Sequence, residues 1–129
     1  MLALFGFQVG ELDRLREARI LLGHEFLEFS RRARDRVCTL ALEDGRLVRY
    51  VLYERGSVVD EYQSVPEYYG PIPPGDVVAL SANATVVARL TGADPARVRA
   101  VARTASSPDE LPPAPELLQE LAELMGLAG

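Results

Sequence analysis

The stretch from residue 37 to residue 63, VCTLALEDGRLVRYVLYERGSVVDEYQ, decides the fold. It holds three runs rich in β-branched, apolar and aromatic residues, separated by Asp44-Gly45 and by Arg55-Gly56. Asp-Gly between two such runs favours a hairpin turn in which both central residues take positive φ. The stretch therefore predicts an antiparallel meander of three strands. Its third run is the most polar, which is typical of an edge strand or of a strand that faces solvent. The polar residues there are Asp60, Glu61 and Gln63.

Upstream of the meander, the apolar residues of 11–34 recur at steps of three, four and seven, which is the period of one helix face. They are Leu12, Leu15, Leu22, Phe26, Phe29 and Ala33. Acidic residues begin this segment and arginines end it, an order that suits the helix dipole. The pattern predicts a long N-terminal helix that covers the sheet. Residues 2–9 alternate loosely and predict a short strand.

Downstream, residues 64–76 hold four prolines and predict an ordered loop, and residues 76–80 (DVVAL) predict a short buried strand. Asn83 and Asp94 are candidate N-caps of two helices, the first ended by Gly92 and the second extending to about Thr104. Residues 114–125 predict a last helix. The predicted fold class is α+β: an antiparallel sheet of four to five strands covered by a long N-terminal helix, with a helical C-terminal third. The 129 residues suit a single domain.

Composition excludes several kinds of chemistry. The chain has 19 acidic and 14 basic residues, a formal charge of −5, and every basic residue is arginine. The absence of lysine excludes a Schiff base and a P-loop lysine. One cysteine excludes an internal disulfide and any zinc site built from several cysteines, and it suits a reducing compartment. No secretory-signal pattern and no apolar run of membrane-spanning length is present, so we expect a cytoplasmic protein with no membrane partner.

One fragment resembles a metal motif. His24-Glu25-Phe26-Leu27-Glu28 is similar to the HExxH zinc helix, with glutamate in place of the second histidine. Two ligands four residues apart on a helix are too few, and the chain has no second histidine. We therefore predict a surface histidine, no metal and no cofactor. Cys38 begins a predicted strand and is expected to be a buried, unreactive thiol.

Residues 84–103 resemble the helix-turn-helix of DNA-binding proteins. Ala88 lies four residues before the central Gly92, and Val98 and Val101 follow it by six and nine. The resemblance implies that the second helix contacts phosphates or guanine edges. The arginines that would do so are Arg97, Arg99 and Arg103. However, Thr91 stands where the motif has leucine, and a net charge of −5 opposes binding to a polyanion. Nucleic acid is therefore not the expected partner, and a DNA-binding regulator is the alternative interpretation.

Two further features bear on function. Tyr62, Tyr68 and Tyr69 lie in or beside the proline-rich loop, and tyrosine is enriched at binding surfaces, so these three are the candidate partner surface. Carboxylates in 54–76 are candidates for acid and base chemistry, which makes a small enzyme the second alternative. They are Glu54, Asp60, Glu61, Glu67 and Asp76.

The sequence favours a non-enzymatic interaction or regulatory module over both alternatives. No spacing selects a catalytic pair, so no catalytic residue is assigned and we do not expect an enzyme. A long apolar helix face and an exposed sheet edge together predict a protein partner and a homodimer, since two-fold dimers are the commonest soluble oligomers.

Overall fold

A computed structural model describes residues 3–4, 7–8, 14–21 and 24–127. Two short strands, β1 (Ala3–Leu4) and β2 (Phe7–Gln8), pair as an antiparallel hairpin. The main sheet is an antiparallel meander of five strands in the order β3-β4-β5-β6-β7. Its strands are β3 (Arg14–Leu21), β4 (His24–Ala33), β5 (Arg36–Glu43), β6 (Leu47–Glu54) and β7 (Ser57–Gln63).

The central meander is confirmed, and its turns have the predicted chemistry. Asp44 and Gly45 take φ of 56° and 65°, and Arg55 and Gly56 take 54° and 82°. Positive φ at both central positions gives the turn the twist that the flanking strands need. The prediction of an edge strand is confirmed as well, because β7 is the last strand of the sheet. Part of its edge is covered, since the Gln63 amide donates to the carbonyl of Leu80 at 3.0 Å.

The predicted long N-terminal helix is wrong. Residues 14–21 and 24–33 form the antiparallel pair β3–β4, and β4 then pairs with β5. In this register Leu27 and Phe29 lie opposite Leu42 and Leu40. Pairing that aligns apolar residues of neighbouring strands overrides a local helical period. The sheet is covered by C-terminal helices instead.

The predicted strand at residues 76–80 is also wrong, because Pro74–Ala79 form helix α1. Proline at the first helical position has the φ of a helix and loses no hydrogen bond there. No residue of α1 is buried, so this short apolar run does not enter the core. The helical C-terminal third is confirmed in part. Its elements are α2 (Ala84–Thr91), α3 (Pro95–Val101), a 3-10 turn (Pro108–Glu110) and α4 (Ala114–Leu124).

The caps of α2 and α3 are those the sequence predicts. The Asn83 side chain accepts a hydrogen bond from the Val86 amide, and Gly92 ends α2 with φ of 79°. Asp94 accepts from the Ala96 amide at the start of α3. These caps satisfy amides that would otherwise lack partners at the helix ends. However, α3 ends at Val101, three residues before the predicted Thr104.

The core lies between one face of the sheet and the helices α2, α3 and α4. Alternate residues of β5, β6 and β7 supply the sheet side, because successive side chains of a strand point to opposite faces. The buried side chains there are Cys38, Leu40, Leu42, Val48, Tyr50, Leu52 and Tyr62. The helices contribute Val87, Val98, Leu117, Leu118 and Leu121. The fold is thus α+β, with all helical cover on one side of β5–β7.

Candidate functional site

The other face of the sheet forms a concave groove with a volume of about 820 Å³. Its walls come from β4, β5 and β6 and from the two turns at one end of the sheet, β4–β5 and β6–β7. We call it the sheet groove. It is lined mainly by Glu28, Ser30, Arg32, Arg34, Asp35, Val37, Thr39, Ala41, Arg49, Val51, Tyr53 and Arg55.

The floor of the sheet groove is apolar with hydroxyl groups. Val37 lies opposite Tyr53, and Thr39 lies opposite Val51, so two neighbouring rungs of the β5–β6 ladder form it. All four side chains are half-buried. Such a surface offers contact area to an apolar chain and hydrogen bonds to a polar one.

Arginines crowd the end of the sheet groove where the two turns lie. Arg32, Arg34 and Arg55 line this end together with Asp35. The Arg55 side chain donates to Asp35 Oδ2 at 3.3 Å, and the Arg55 amide donates to the Asp35 carbonyl at 2.8 Å. Among residues 28 and 30–127, whose side chains the structure describes, the Arg34 side chain has no hydrogen bond and no ion pair. Among the described side chains, Arg34 therefore gives this end a positive charge that no carboxylate balances.

At the opposite end of the sheet groove, the described side chains are acidic or balanced in charge. Glu28 lines it, and Arg49 is held by the buried carboxylate of Glu43. Glu43 Oε2 also accepts a hydrogen bond from the Tyr69 hydroxyl at 2.9 Å, and Asp44 accepts one from the Tyr68 hydroxyl at 3.0 Å. The positive charge of Arg49 is thus balanced locally.

The three tyrosines of the predicted partner surface do not lie together. The rings of Tyr68 and Tyr69 meet edge to face at 4.9 Å, and Tyr69 is 60% exposed beside the acidic end of the sheet groove. Desolvation, followed by the hydrogen bond to Glu43, raises the pKa of Tyr69 to about 12. Tyr62 instead lies in the core on the other face, fully buried and stacked on Tyr50 at 5.2 Å. Only Tyr68 and Tyr69 can touch a partner directly.

The helix-turn-helix resemblance corresponds to α2, Gly92 and α3. Arg97 and Arg99 are exposed on α3, but Arg103 lies two residues past the end of that helix. The Arg103 carbonyl accepts a hydrogen bond from the Tyr62 hydroxyl at 2.6 Å. Arg103 therefore does not lie on the second helix with Arg97 and Arg99, where the resemblance placed all three. Arg89 on α2 is bound to Glu54, with Nη1 to Oε2 at 3.0 Å.

Two of the five candidate carboxylates are held in structural contacts. Glu54 lies between Arg89 and Arg36, at 3.0 Å and 3.7 Å. Asp60 is buried, and its Oδ2 accepts hydrogen bonds from the Tyr50 hydroxyl at 2.6 Å and from the Asn83 amide at 3.0 Å. Desolvation raises the pKa of Asp60, and these hydrogen bonds oppose the rise. Glu61, Glu67 and Asp76 lie on β7, in the following loop and on α1.

The sequence candidates for metal binding and thiol chemistry lie on β4 and β5. His24 and Glu28 both lie on β4, so the helical spacing of the zinc motif is not formed. Across the described residues, no group of three or more histidine, cysteine or acidic residues could hold a metal ion. Cys38 is buried, and desolvation raises the pKa of its thiol to about 12. A thiol of such high pKa is a poor nucleophile at neutral pH.

Sequence reasoning missed the sheet groove. The sequence does carry a sign of it. The odd-numbered residues of 37–41 and 49–53, which alternate with the core residues of β5 and β6, also include apolar side chains. The buried Glu43, which links Arg49 to Tyr69, was not singled out either.

Comparisons with protein families, with characterised proteins and with solved structures find no match to this chain. In the part of the chain that the structure describes, no helix has the length and apolar character to cross a membrane.

Proposed function

We propose that the protein is a non-enzymatic interaction module of the cytoplasm that holds an extended segment of a partner protein in the sheet groove. The observation that carries this proposal is the concave groove on one face of a sheet whose opposite face is packed under three helices. Tyr68 and Tyr69, from the predicted partner surface, adjoin its acidic end.

The composition of this face differs from that of a sheet face that is only exposed to water. Antiparallel sheets often leave one face in solvent, and that face is then polar. Here Val37, Val51 and Tyr53 occupy the floor, flanked by arginines. Aromatic and arginine side chains are enriched where proteins bind one another. The volume of about 820 Å³ lies within the range of binding cavities, roughly 300–1,000 Å³.

The shape of the sheet groove favours a narrow occupant. A concave surface is not complementary to the same concave surface of a second copy, so the groove does not suit a two-fold interface. An extended chain laid along the strands would contact the floor with alternate side chains, because it shares the two-residue repeat of the sheet.

Photo-crosslinking tests this proposal. We expect p-benzoylphenylalanine in place of Tyr53 to form one discrete adduct in cells of the source organism, and the same group in place of Glu120, exposed on α4, to form none. The adduct is identified by mass spectrometry, and the purified partner is then titrated against the unlabelled protein.

A matched pair of variants controls that titration. Thr39→Arg fills the floor of the sheet groove, whereas Thr85→Arg makes the same change on the exposed side of α2. Binding lost with Thr39→Arg and kept with Thr85→Arg supports the proposal. Equal binding by both variants, or the same adducts from both crosslinker positions, would overturn it.

The homodimer is a separate proposal, and one of its two grounds is gone because the N-terminal helix is not formed. The remaining ground is β7, where the first residues are exposed and Val58 is 50% exposed. Pairing of this edge with its copy would bury Val58 and supply the edge amides with partners. We expect light scattering at tens of micromolar to return the mass of two chains and Val58→Lys to return that of one. The mass of one chain for the unmodified protein contradicts the dimer.

A further inference from the structure

The charge of the described side chains changes sign along the sheet groove. At the turn end, Arg34 and Arg55 line the groove with the carboxylate of Asp35, and Asp35 is bound to Arg55, which leaves the charge of Arg34 in excess among these three side chains. Glu28 lies four residues from Arg32 along β4, which is about 13 Å at the rise of a strand. Since Arg49 is balanced by Glu43, Glu28 gives that end a negative charge.

This local positive charge stands out against the protein as a whole. The chain carries −5, yet at the turn end of the groove the described side chains of Arg34 and Arg55 outnumber the one carboxylate, that of Asp35. Arg34 is the arginine best placed to bind a ligand, because it lines the groove and its side chain has no partner among residues 28 and 30–127. A guanidinium can bind a carboxylate through two parallel hydrogen bonds, which gives arginine a geometric preference for that group.

From this gradient we infer that the sheet groove selects a partner segment that is acidic at one end. Its carboxylates bind Arg34 and Arg55 at the turns, and its other end is neutral or basic where it passes Glu28. The inference rests on the proposed function, since it names the chemistry of the segment that the groove holds. An acidic segment that bound anywhere on the surface would gain nothing from Arg34 over another exposed arginine.

Three fluorescein-labelled heptapeptides serve as probes for the full chain: DDVTVKK with an acidic and a basic end, DDVTVDD with two acidic ends, and KKVTVKK with two basic ends. Affinity is measured by fluorescence anisotropy at low ionic strength, where charge interactions are least screened. We expect DDVTVKK to bind most tightly and KKVTVKK most weakly. Amide chemical shifts of Thr39 and Val51 report whether a probe occupies the groove.

Two charge-reversal variants distinguish binding in the sheet groove from binding to charges elsewhere on the surface. Arg34→Glu should weaken the binding of DDVTVKK about tenfold, the effect of one lost charge-assisted contact. Arg97→Glu makes the same change of charge on exposed α3 and should weaken it less than about twofold, as expected for a distant, screened charge. Circular dichroism verifies that both variants are folded.

Glu28→Gln is expected to change the affinities of two probes in opposite directions. Removing the carboxylate should tighten DDVTVDD, whose second acidic end it repels, and weaken DDVTVKK, whose lysines it attracts. The inference is overturned if Arg34→Glu and Arg97→Glu weaken binding equally, or if KKVTVKK binds as tightly as DDVTVKK. It is also overturned if Glu28→Gln moves both probes in the same direction. The proposed function fails separately, if the shifts of bound probes map outside the groove or if no probe shifts Thr39 and Val51.

Discussion

Replacing Asp60 by alanine should lower the free energy of unfolding by about 3 kcal/mol, because it leaves two donors without an acceptor. Asp60 Oδ2 accepts from the Tyr50 hydroxyl in the core and from the Asn83 amide at the start of α2. The carboxylate thus fastens α2 to the edge strand β7. Asp60→Asn retains an acceptor oxygen and should cost less than Asp60→Ala. Urea unfolding followed by circular dichroism measures both variants.

Asp60 should also make the stability of the protein depend on pH. Burial raises the pKa of Asp60 above its ordinary value of 3.8, so the folded protein holds this proton more tightly than the unfolded chain does. The stabilising contribution of Asp60 is therefore complete below pH 3.8 and is lost as the pH rises through its folded pKa. The stability of the unmodified protein relative to Asp60→Asn should fall over that interval and level off above it.

Glu61→Gln provides the control for both measurements. Glu61 is the neighbouring acid on β7 and is half-buried, so its replacement makes the same change of charge outside the Tyr50–Asn83 contact. We expect Glu61→Gln to change the free energy of unfolding much less than Asp60→Ala does. A constant difference between Asp60→Asn and the unmodified protein from acid to neutral pH would contradict the assignment, as would an equal loss of stability in Asp60→Ala and Glu61→Gln.

The contrast between the meander and the N-terminal segment explains what could be predicted from the sequence. The turns at Asp44-Gly45 and Arg55-Gly56 depend on local backbone preferences, which a short stretch of sequence carries. Helix caps such as Asn83 and Asp94 are local in the same way. In residues 14–33, by contrast, the outcome depends on pairing between strands, and the register of Phe29 with Leu40 cannot be read from either segment alone.

Helix α1 illustrates a second limit. Val77, Val78, Ala79 and Leu80 form a short apolar run, and periodicity cannot distinguish a strand from a helix over so few residues. Pro74 decides the matter by fixing the φ of the first helical residue.

The sheet groove is harder still to predict, because it belongs to no single segment. Arg34 and Arg55 are 21 positions apart, and only the two hairpins bring their turns to one end of the sheet. Tyr62 is close to Tyr68 and Tyr69 in the sequence, but in the structure it is buried in the core. Its position two residues after Asp60 places both on the buried face of β7, since alternate side chains share a face.

The last prediction concerns Tyr62 and has the largest expected effect. Its ring is fully buried against Tyr50, and its hydroxyl reaches the Arg103 carbonyl just after α3. Truncation to alanine should lower the free energy of unfolding by about 4 kcal/mol, as expected for a large aromatic side chain removed from a packed core. Tyr62→Phe keeps the ring and loses only the hydrogen bond, so it should cost about 1 kcal/mol.

Tyr69→Ala is the matched control, because Tyr69 is also a hydrogen-bonded tyrosine but is 60% exposed. We expect it to cost less than about 1 kcal/mol, the usual value for one hydrogen bond with little burial. Urea unfolding of the four proteins measures all three differences. If Tyr62→Ala cost no more than Tyr69→Ala, Tyr62 would not be a core residue that holds α3 against the sheet. If Tyr62→Phe cost as much as Tyr62→Ala, the hydrogen bond to Arg103 rather than the packing of the ring would supply its stabilisation.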